Sequence, residues 1–253
     1  MVNYLIYEGV ISGIMVTKDE DKKREKFLVS VVIPVFNEEK TIGNIVSRTK
    51  KTLNKMGDSY EVLVVDDGSS DNSADIAEQQ KASVSRVTHR GKGFALRTGF
   101  KYAKGELVIT LDADGSHKPE EIPLVLKYLI EDKADFVVGS RFSKFEENKI
   151  KIPKINRVGN KLFNKMTRYL TGVDISDSQS GFRAIRASLI KRMKLTSRGY
   201  EVESEMLVKA LKLNARVKET SISFDQRTVG TSKLDPMRDG IKILYSIIAA
   251  YLS

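Results

Sequence analysis

The chain has 253 residues, 41% apolar and 30% charged, so it can bury a sizeable core and has the composition of a globular protein. It contains no cysteine, which excludes disulfides, thiolate catalysis and zinc–thiolate sites, and two histidines are too few for a histidine-rich metal centre. The net charge of +10 comes from the C-terminal part, because residues 1–143 carry 21 Lys/Arg and 22 Asp/Glu whereas residues 144–253 carry 22 and 11. Such a basic half attracts nucleic acid, an anionic membrane surface or a phosphorylated substrate, and charge alone does not choose among them.

The two ends of the chain are interpreted as additions to a central domain at 28–235. No stretch reaches the roughly 18–20 apolar residues that a bilayer crossing needs. Residues 1–27 predict an N-terminal extension that is not a signal peptide, since Glu8 interrupts its apolar run. Residues 236–253 predict a C-terminal helix, either amphipathic or juxtamembrane. We therefore expect a peripheral protein or a piece truncated from a membrane-anchored one.

From residue 28 onwards, short β-prone runs alternate with helical patterns. Strands are predicted at 28–35, 60–67, 84–89, 107–112 and 135–140. Helices are predicted between them, at 42–53, from Ser70 or Asp71 to 80, at 93–103 and from Pro119 onwards. This alternation predicts an α/β fold with a doubly wound, mostly parallel, Rossmann-like sheet and helices on both faces. Ligands of such sheets bind beyond the carboxyl ends of the strands.

After residue 143 the pattern changes to that of a basic amphipathic helix. An apolar stripe at helical spacing consists of Ile155, Val158, Leu162, Met166 and Tyr169. A neighbouring basic face consists of Lys154, Arg157, Lys161, Lys165 and Arg168. Either the helix packs on the core with a solvated charged face, or its cationic side faces anionic lipid headgroups.

Three predicted strands end in acidic segments, namely PVFNEE (34–39), DDGSSD (66–71) and DADGS (112–116). Carboxylates gathered on one edge of a sheet repel one another, so this arrangement suggests a ligand that brings hydrogen-bond donors and a cation. Asp112 and Asp114 alone cannot enclose a divalent ion. They would hold Mg²⁺ or Mn²⁺ only together with waters and a phosphate-bearing substrate.

Two other classes of phosphate-binding protein are disfavoured. Lys92 lies between two glycines, but the GxxxxGK[ST] pattern of a nucleoside triphosphatase loop is absent. A basic nucleic-acid-binding module is disfavoured because there is no aromatic RNA platform or helix-turn-helix pattern, and the acidic edge would repel phosphates. We therefore expect no nucleic-acid partner.

Seven segments in order strongly resemble the inverting family 2 glycosyltransferases with the GT-A fold, particularly the dolichol-phosphate mannose synthases and other dolichyl-phosphate hexosyltransferases. They are VVIPVFNEE, VVDDGSSD, HRGKGFALRTGF, LDADGSHKPEEIP, VVGSR, DSQSGFRAIR and RTVGTSKL. The resemblance covers residues 28 to about 245 and implies that 28–235 is a GT-A catalytic domain. It also implies hexose transfer from a nucleotide sugar to a polyprenyl phosphate on the cytoplasmic face of a membrane.

The resemblance further implies site residues. The nucleotide would be contacted by Pro34, Val35, Glu38, Asp66, Lys92, Gly93 and Asp112. Acceptor or donor phosphates would be contacted by Arg141, Arg227, Ser232 and Lys233. Asp112, Asp114 and Arg141 would be the catalytic residues, the two aspartates through a Mg²⁺ or Mn²⁺ ion. Ser116 occupies a position where the mannose synthases often have a metal-binding Gln, which leaves a third protein ligand open.

The sequence allows more than one donor and more than one acceptor. GDP-mannose is the first expectation, and UDP-glucose or UDP-N-acetylglucosamine are alternatives. Transfer to a sugar hydroxyl would instead require a carboxylate base, for which Glu203 or Glu205 are the candidates. At most one or two of Glu201, Glu203 and Glu205 can face one site, and we favour an exposed structural role for them.

Overall fold

The computed structural model describes residues 28–142, 154–225, 227 and 233–253. In these residues seven strands form one sheet in the order β3-β2-β1-β4-β6-β5-β7. The strands are β1 Leu28–Val35, β2 Ser59–Asp66, β3 Ser83–Arg86, β4 Leu107–Thr110, β5 Phe136–Ser140, β6 Arg183–Arg186 and β7 Val217–Ser221. All neighbours run parallel except β6, which is antiparallel to β4 and β5. The predicted mostly parallel α/β sheet is confirmed.

Helices cover both faces of the sheet in the described residues. They are α1 Ile42–Met56, α2 Ser73–Gln79, α3 Lys92–Tyr102, α4 Ile122–Ile130, α5 Lys154–Thr171, α6 Ala187–Met193, α7 Val202–Lys212 and α8 Pro236–Leu252. Pro119–Glu121 form a 3₁₀ turn before α4. Because successive residues of a strand point to opposite faces, β1 supplies Val31 to the core beneath α1 and α4 and Val32 to the core beneath α3 and α7.

The predicted elements of the first half agree with the structure to within a few residues, with two differences. β3 ends at Arg86 rather than at residue 89, because it is a short, polar edge strand. α2 begins at Ser73, since the Asp71 carboxylate accepts hydrogen bonds from the backbone and hydroxyl of Ser73 and holds the preceding turn outside the helix.

The second half departs more from the expectations. β6 and β7 were not predicted, because their segments RAIR and VKETS lack an apolar run. The predicted amphipathic helix is present as α5, but most of its apolar stripe does not face the core, although Met166 is partly buried against it. Ile155, Val158 and Leu162 are exposed, whereas Phe163 is buried. Phe163 packs with Val208 of α7 and with Ile243 and Ile247 of α8, forming a small third core.

Candidate active site

A cavity of about 1970 Å³ lies at the carboxyl edge of the sheet. One side, the strand-edge wall, includes Pro34, Val35, Glu38, Lys92, Asp112 and Asp114. Another side, the helical wall, includes Ile155, Val158 and Leu162 of α5 and Met237, Ile241 and Tyr245 of α8. The strand-edge wall is rich in charge, and the helical wall presents large apolar side chains beside the charged Arg238, Asp239 and Lys242 of α8.

The strand-edge wall begins with two loops that are bonded to each other. Asn37 adopts a left-handed backbone conformation (φ 55°), and its Oδ1 accepts a hydrogen bond from the Ser70 backbone at 2.7 Å. The Glu38 backbone donates to Ser73 Oγ at 2.8 Å. These bonds place the Glu38 carboxylate at the cavity. Burial raises the pKa of Glu38, and the nearby Arg227 and Lys233 cations only partly offset this effect.

The two aspartates at the end of β2, Asp66 and Asp67, lie in different surroundings. Asp66 is buried, accepts the Ser69 backbone N–H at 3.2 Å and is not among the residues that line the cavity, although the resemblance implied a nucleotide contact there. Asp67 does line the cavity. Its two carboxylate oxygens accept the backbone N–H groups of Arg90 and Gly91 at 2.9 and 2.8 Å. Asp67 therefore fixes the loop before α3, a role that the sequence did not signal.

Asp112 and Asp114 follow β4 at the cavity. Asp112 Oδ1 lies 2.6 Å from Lys92 Nζ, and its carboxylate packs on Gly181, where an added Cβ would stand 2.8 Å from the Asp112 Cγ. Asp114 Oδ1 accepts the backbone N–H and the hydroxyl of Ser116 at 3.0 and 2.6 Å. Burial acts to raise the pKa of Asp112, but Lys92 and His117 outweigh it and the pKa is lowered, so the carboxylate is charged at neutral pH.

These oxygen donors suit a hard divalent cation that a substrate shares. Within the described ranges, no group of three or more His, Cys, Asp or Glu side chains is arranged to hold a metal ion. Ser116, the uncertain third ligand, already donates its hydroxyl to Asp114. Two carboxylates at the cavity fit Mg²⁺ or Mn²⁺, because these ions usually bind one or two carboxylates and complete their shell with waters and substrate phosphates.

Lys92 begins α3 and lies between two carboxylates. Its Nζ is 2.6 Å from Asp112 Oδ1 and 2.7 Å from Glu203 Oε1. Burial alone would lower the pKa of Lys92, but Asp112 and Glu203 raise it. Gly93, predicted near the nucleotide, is not at the cavity. An added Cβ there would stand 2.7 Å from the Ser197 carbonyl oxygen, so this glycine allows the segment 197–199 to pack on α3.

Arg141 lines the cavity, and two of its three guanidinium nitrogens already donate hydrogen bonds to a carboxylate. Its Nε and Nη2 donate to the two oxygens of Asp177 at 2.7 and 2.8 Å, and Asp177 is fully buried. The guanidinium also lies 5.1 Å from the centre of the Phe224 ring. Burial acts to lower the pKa of Arg141, but Asp177 raises it. Nη1 is thus the nitrogen best placed to meet a phosphate.

The two other basic side chains that were predicted to contact phosphate, Arg227 and Lys233, also lie at the strand-edge wall. Arg227 forms an ion pair with Glu38, and its Nη1 is 3.8 Å from Asp114 Oδ2. Lys233 Nζ donates to the Phe36 carbonyl oxygen and lies 4.5 Å from the centre of the Phe36 ring. Ser232, the fourth phosphate ligand implied by the resemblance, lies outside the described residues.

Arg183 organises the loop beneath the cavity, a role that local pattern did not reveal. It is fully buried and donates to the carbonyl oxygens of Ser180, Glu203 and Ser178 at 2.8, 2.6 and 2.7 Å. Burial lowers the pKa of Arg183 to about 10. These three bonds join the turn that carries Asp177 and Gly181 to the start of α7.

The three alternating glutamates are not an exposed set, and our expectation was wrong for two of them. Glu203 and Glu205 are 3% and 2% exposed. Glu205 is not at the cavity, since its oxygens accept the backbone N–H groups of Thr196 and Ser197, both at 2.8 Å. Glu203 is the member that lines the cavity beside Lys92.

The helical wall exposes large apolar side chains. The exposed fractions are 67% for Val158, 67% for Ile241 and 74% for Tyr245. None of the helices in the described part of the chain combines the length and apolar character that a bilayer crossing requires. Among the residues that the structure describes, the large apolar side chains of the two helices form an exposed surface next to the charged wall.

Comparison with known proteins decides the family. The sequence model of glycosyl transferase family 2 matches residues 30–194, well over half of the chain. The protein belongs to glycosyl transferase family 2. It is therefore an enzyme that transfers a glycosyl group from a nucleotide sugar.

Two relatives match this family 2 glycosyltransferase over most of their length. An uncharacterized protein of Methanocaldococcus jannaschii is 37% identical over 227 residues, which cover 87% of this chain and 90% of the relative. UDP-N-acetylglucosamine–dolichyl-phosphate N-acetylglucosaminyltransferase of Methanococcus voltae is 31% identical over 245 residues, covering 87% of this chain and 95% of that enzyme.

Solved structures agree on the fold. Glucosyl-3-phosphoglycerate synthase of Mycobacterium tuberculosis is 18% identical and superimposes with a TM-score of 0.71 over 96% of this chain and 84% of that chain. Another structure of that enzyme, in complex with Mn²⁺, UDP-glucose and phosphoglyceric acid, has a TM-score of 0.68 and 19% identity, covering 89% of this chain and 80% of that one. The expected GT-A fold is confirmed.

Proposed function

We propose that this glycosyltransferase transfers a sugar from a nucleotide sugar to a polyprenyl phosphate, with inversion at the anomeric carbon. The observation that carries the proposal is the cavity with one charged wall and one wall that exposes large apolar side chains. The charged wall suits the diphosphate of the donor and the phosphate of the acceptor, and the apolar wall suits a lipid. The Methanococcus relative, named as a dolichyl-phosphate N-acetylglucosaminyltransferase, supports this acceptor class.

The reaction needs no protein base. A phosphate monoester has a second pKa of about 6, so its oxygen is already anionic at neutral pH. That oxygen attacks the anomeric carbon, a new C–O bond to the acceptor phosphate forms, and the bond to the nucleoside diphosphate breaks with its electron pair leaving on the diphosphate. The protein's task is to position the two phosphate groups and to neutralise their charge.

Different residues would bind the donor and the acceptor. Asp112 and Asp114 would hold a divalent metal, which stabilises the charge on the leaving diphosphate when bound. The Mn²⁺ complex of the mycobacterial structure supports a divalent ion but does not distinguish Mg²⁺ from Mn²⁺ in this protein. Pro34, Val35 and Glu38 would contact the nucleotide. Arg141, Arg227 and Lys233 would contact phosphate oxygens, Arg141 through the nitrogen that Asp177 does not bind.

A UDP-sugar is now favoured over GDP-mannose as donor. The Methanococcus relative uses UDP-N-acetylglucosamine by its name, and the mycobacterial enzyme was crystallised with UDP-glucose. Transfer to a sugar hydroxyl remains the second candidate. Of the two carboxylates considered as its base, only Glu203 lines the cavity.

The acceptor also implies a place for the enzyme. A polyprenyl tail stays in the bilayer, so the helical wall must approach the headgroups from the side where nucleotide sugars are made, the cytoplasmic face. The exposed apolar residues and the basic residues of α5 are the available contacts.

A donor screen tests the proposed function. The enzyme is incubated with Mn²⁺, a short polyprenyl phosphate in detergent and radiolabelled UDP-N-acetylglucosamine, UDP-glucose or GDP-mannose. We expect label in the organic phase with a UDP-sugar, and none when EDTA replaces Mn²⁺. A parallel incubation contains a free sugar or glycan as well as the lipid, and label found only on that sugar or glycan, with none on the lipid, would refute the acceptor assignment.

A further inference from the structure

Glu203 has an unsatisfied oxygen at the cavity. Its side chain is 3% exposed, and its Oε1 lies 2.7 Å from Lys92 Nζ. Its Oε2 has no hydrogen-bond donor among the residues that the structure describes. A buried oxygen without a donor has lost its hydration without replacement, which is costly, and more so when the oxygen is charged. Such a group therefore calls for a ligand that donates a hydrogen bond.

The surroundings of Glu203 indicate which part of a ligand it would meet. Lys92 Nζ contacts Asp112 at 2.6 Å and Glu203 at 2.7 Å, so the two carboxylates flank one ammonium group. A diphosphate placed at Asp112 would consequently lie next to Glu203. The group bonded to that diphosphate is the donor sugar, whose hydroxyls are hydrogen-bond donors.

The neighbouring glutamates are already occupied. Glu201 Oε1 accepts the backbone N–H groups of Arg198 and Gly199 at 3.0 and 2.9 Å. Glu205 accepts those of Thr196 and Ser197. Glu203 differs from both, and its own backbone is fixed because its carbonyl oxygen accepts a hydrogen bond from Arg183.

We propose that Glu203 binds a hydroxyl of the donor sugar and thereby selects which sugar is transferred. The inference rests on the proposed function for its donor, but it does not depend on the acceptor. It assigns Glu203 to donor specificity, and the hydroxyl-acceptor alternative would assign the same carboxylate to proton removal.

Calorimetry with Mn²⁺ tests this role without any turnover. The affinities of UDP-N-acetylglucosamine, UDP-glucose and GDP-mannose are each compared with that of the free nucleoside diphosphate. Wild type should bind at least one nucleotide sugar more tightly than it binds the nucleoside diphosphate. In Glu203→Gln the ratio of these two affinities should fall by about tenfold, while the affinity for the diphosphate stays nearly unchanged. A donor analogue lacking the contacted hydroxyl should lose affinity for wild type but not for Glu203→Gln.

Glu205→Gln is the matched control, because it removes a buried carboxylate from the same helix. It should lower thermal stability and leave the affinity ratio at the wild-type value. An unchanged ratio in Glu203→Gln would overturn the inference, as would a wild type that binds every nucleotide sugar no better than its diphosphate. A loss of kcat with an unchanged ratio would also overturn it and assign Glu203 to base catalysis. The proposed function fails by a different result. In that case the affinity ratio depends on Glu203, but no sugar is transferred to polyprenyl phosphate.

Discussion

The strand-edge wall and the helical wall differ in what holds them in place. Charged side chains of the strand-edge wall are fixed by ion pairs and buried hydrogen bonds, such as Lys92 between Asp112 and Glu203. Apolar side chains of the helical wall, such as Val158 and Ile241, are exposed, and only the opposite sides of their helices pack through Phe163 and Ile247.

The difference shows how one cavity can serve two unlike substrates. Donor chemistry needs charges held in fixed positions, because preorganised groups need no reorganisation when charge develops. A lipid needs only an apolar surface close to that site. The two walls can therefore be disrupted separately, which the following experiments use.

Removing a charge from the strand-edge wall should have the largest effect. Asp114→Asn keeps an oxygen that can accept the Ser116 hydrogen bonds but removes the charge that would hold the metal. We expect turnover to fall by at least about 10²–10³-fold and Mn²⁺-dependent binding of the nucleoside diphosphate to be lost in calorimetry, with an unchanged melting temperature.

Asp75→Asn is the control for this substitution, since Asp75 is exposed and pairs with Arg86 outside the cavity. It should behave as wild type in both assays. Mn²⁺-dependent diphosphate affinity that persists in Asp114→Asn would contradict the metal assignment.

Arg141→Lys should have the next largest effect, because a lysine cannot bond both oxygens of Asp177 while offering a further donor to phosphate. We expect turnover to fall by about 10–100-fold, with donor affinity nearly unchanged. Steady-state kinetics with polyprenyl phosphate as the varied substrate, together with calorimetry of the donor, separates these quantities. Wild-type turnover would show that Arg141 only supports the Asp177 loop.

The helical wall is tested by membrane binding. Replacing the basic side chains of α5 with Gln should weaken binding to vesicles that contain anionic lipid by more than about tenfold, since four residues are replaced and each basic residue near such a surface contributes about 1 kcal/mol. The substitutions are at Lys154, Arg157, Lys161 and Lys165. A flotation assay at low and high salt measures the effect.

The control for that assay replaces exposed lysines outside the helical wall, at Lys40, Lys51, Lys55 and Lys81. It should float as wild type does. Equal flotation of the α5 variant and wild type would eliminate α5 as the electrostatic contact and leave the apolar residues of α8 as the anchor.

Sequence reasoning predicted the strand-edge wall better than the helical wall for a physical reason. β1 is apolar on both faces, and its register with β2 pairs Val35 with Asp66, so acidic strand ends had to meet at one edge. Local pattern could not show that Asp67 rather than Asp66 reaches the cavity, because that choice depends on hydrogen bonds to Arg90 and Gly91.

In the second half, long-range contacts decide what local pattern cannot. Arg183 is buried because the carbonyl oxygens of Ser178, Ser180 and the more distant Glu203 accept its hydrogen bonds, and a strand that contains an arginine does not look like a core strand in the sequence. On α5 both an apolar stripe and Phe163 were available for packing. The residues that α7 and α8 present there, Val208, Ile243 and Ile247, bury Phe163 and leave most of the stripe exposed.

The smallest expected effect concerns the segment 196–199, which joins the two walls. The carbonyl oxygen of Arg198 accepts a hydrogen bond from the Phe94 backbone N–H of α3, and Ser197 Oγ lies 3.4 Å from Ser246 Oγ of α8. The Glu205 carboxylate accepts the backbone N–H of Ser197. Burial acts to raise the pKa of Glu205, but its bonds to Lys209, Ser197 and Thr196 lower it below the ordinary value of 4.5. The stability that depends on the charge of Glu205 is therefore complete above pH 4.5 and is lost as the pH falls through the lowered pKa.

Glu205→Gln should reduce the free energy of unfolding by about 1 kcal/mol at neutral pH, and the difference from wild type should shrink in acid. Urea unfolding of both proteins at neutral and acidic pH measures this, and a difference that stays constant with pH would contradict a role for the charge of Glu205.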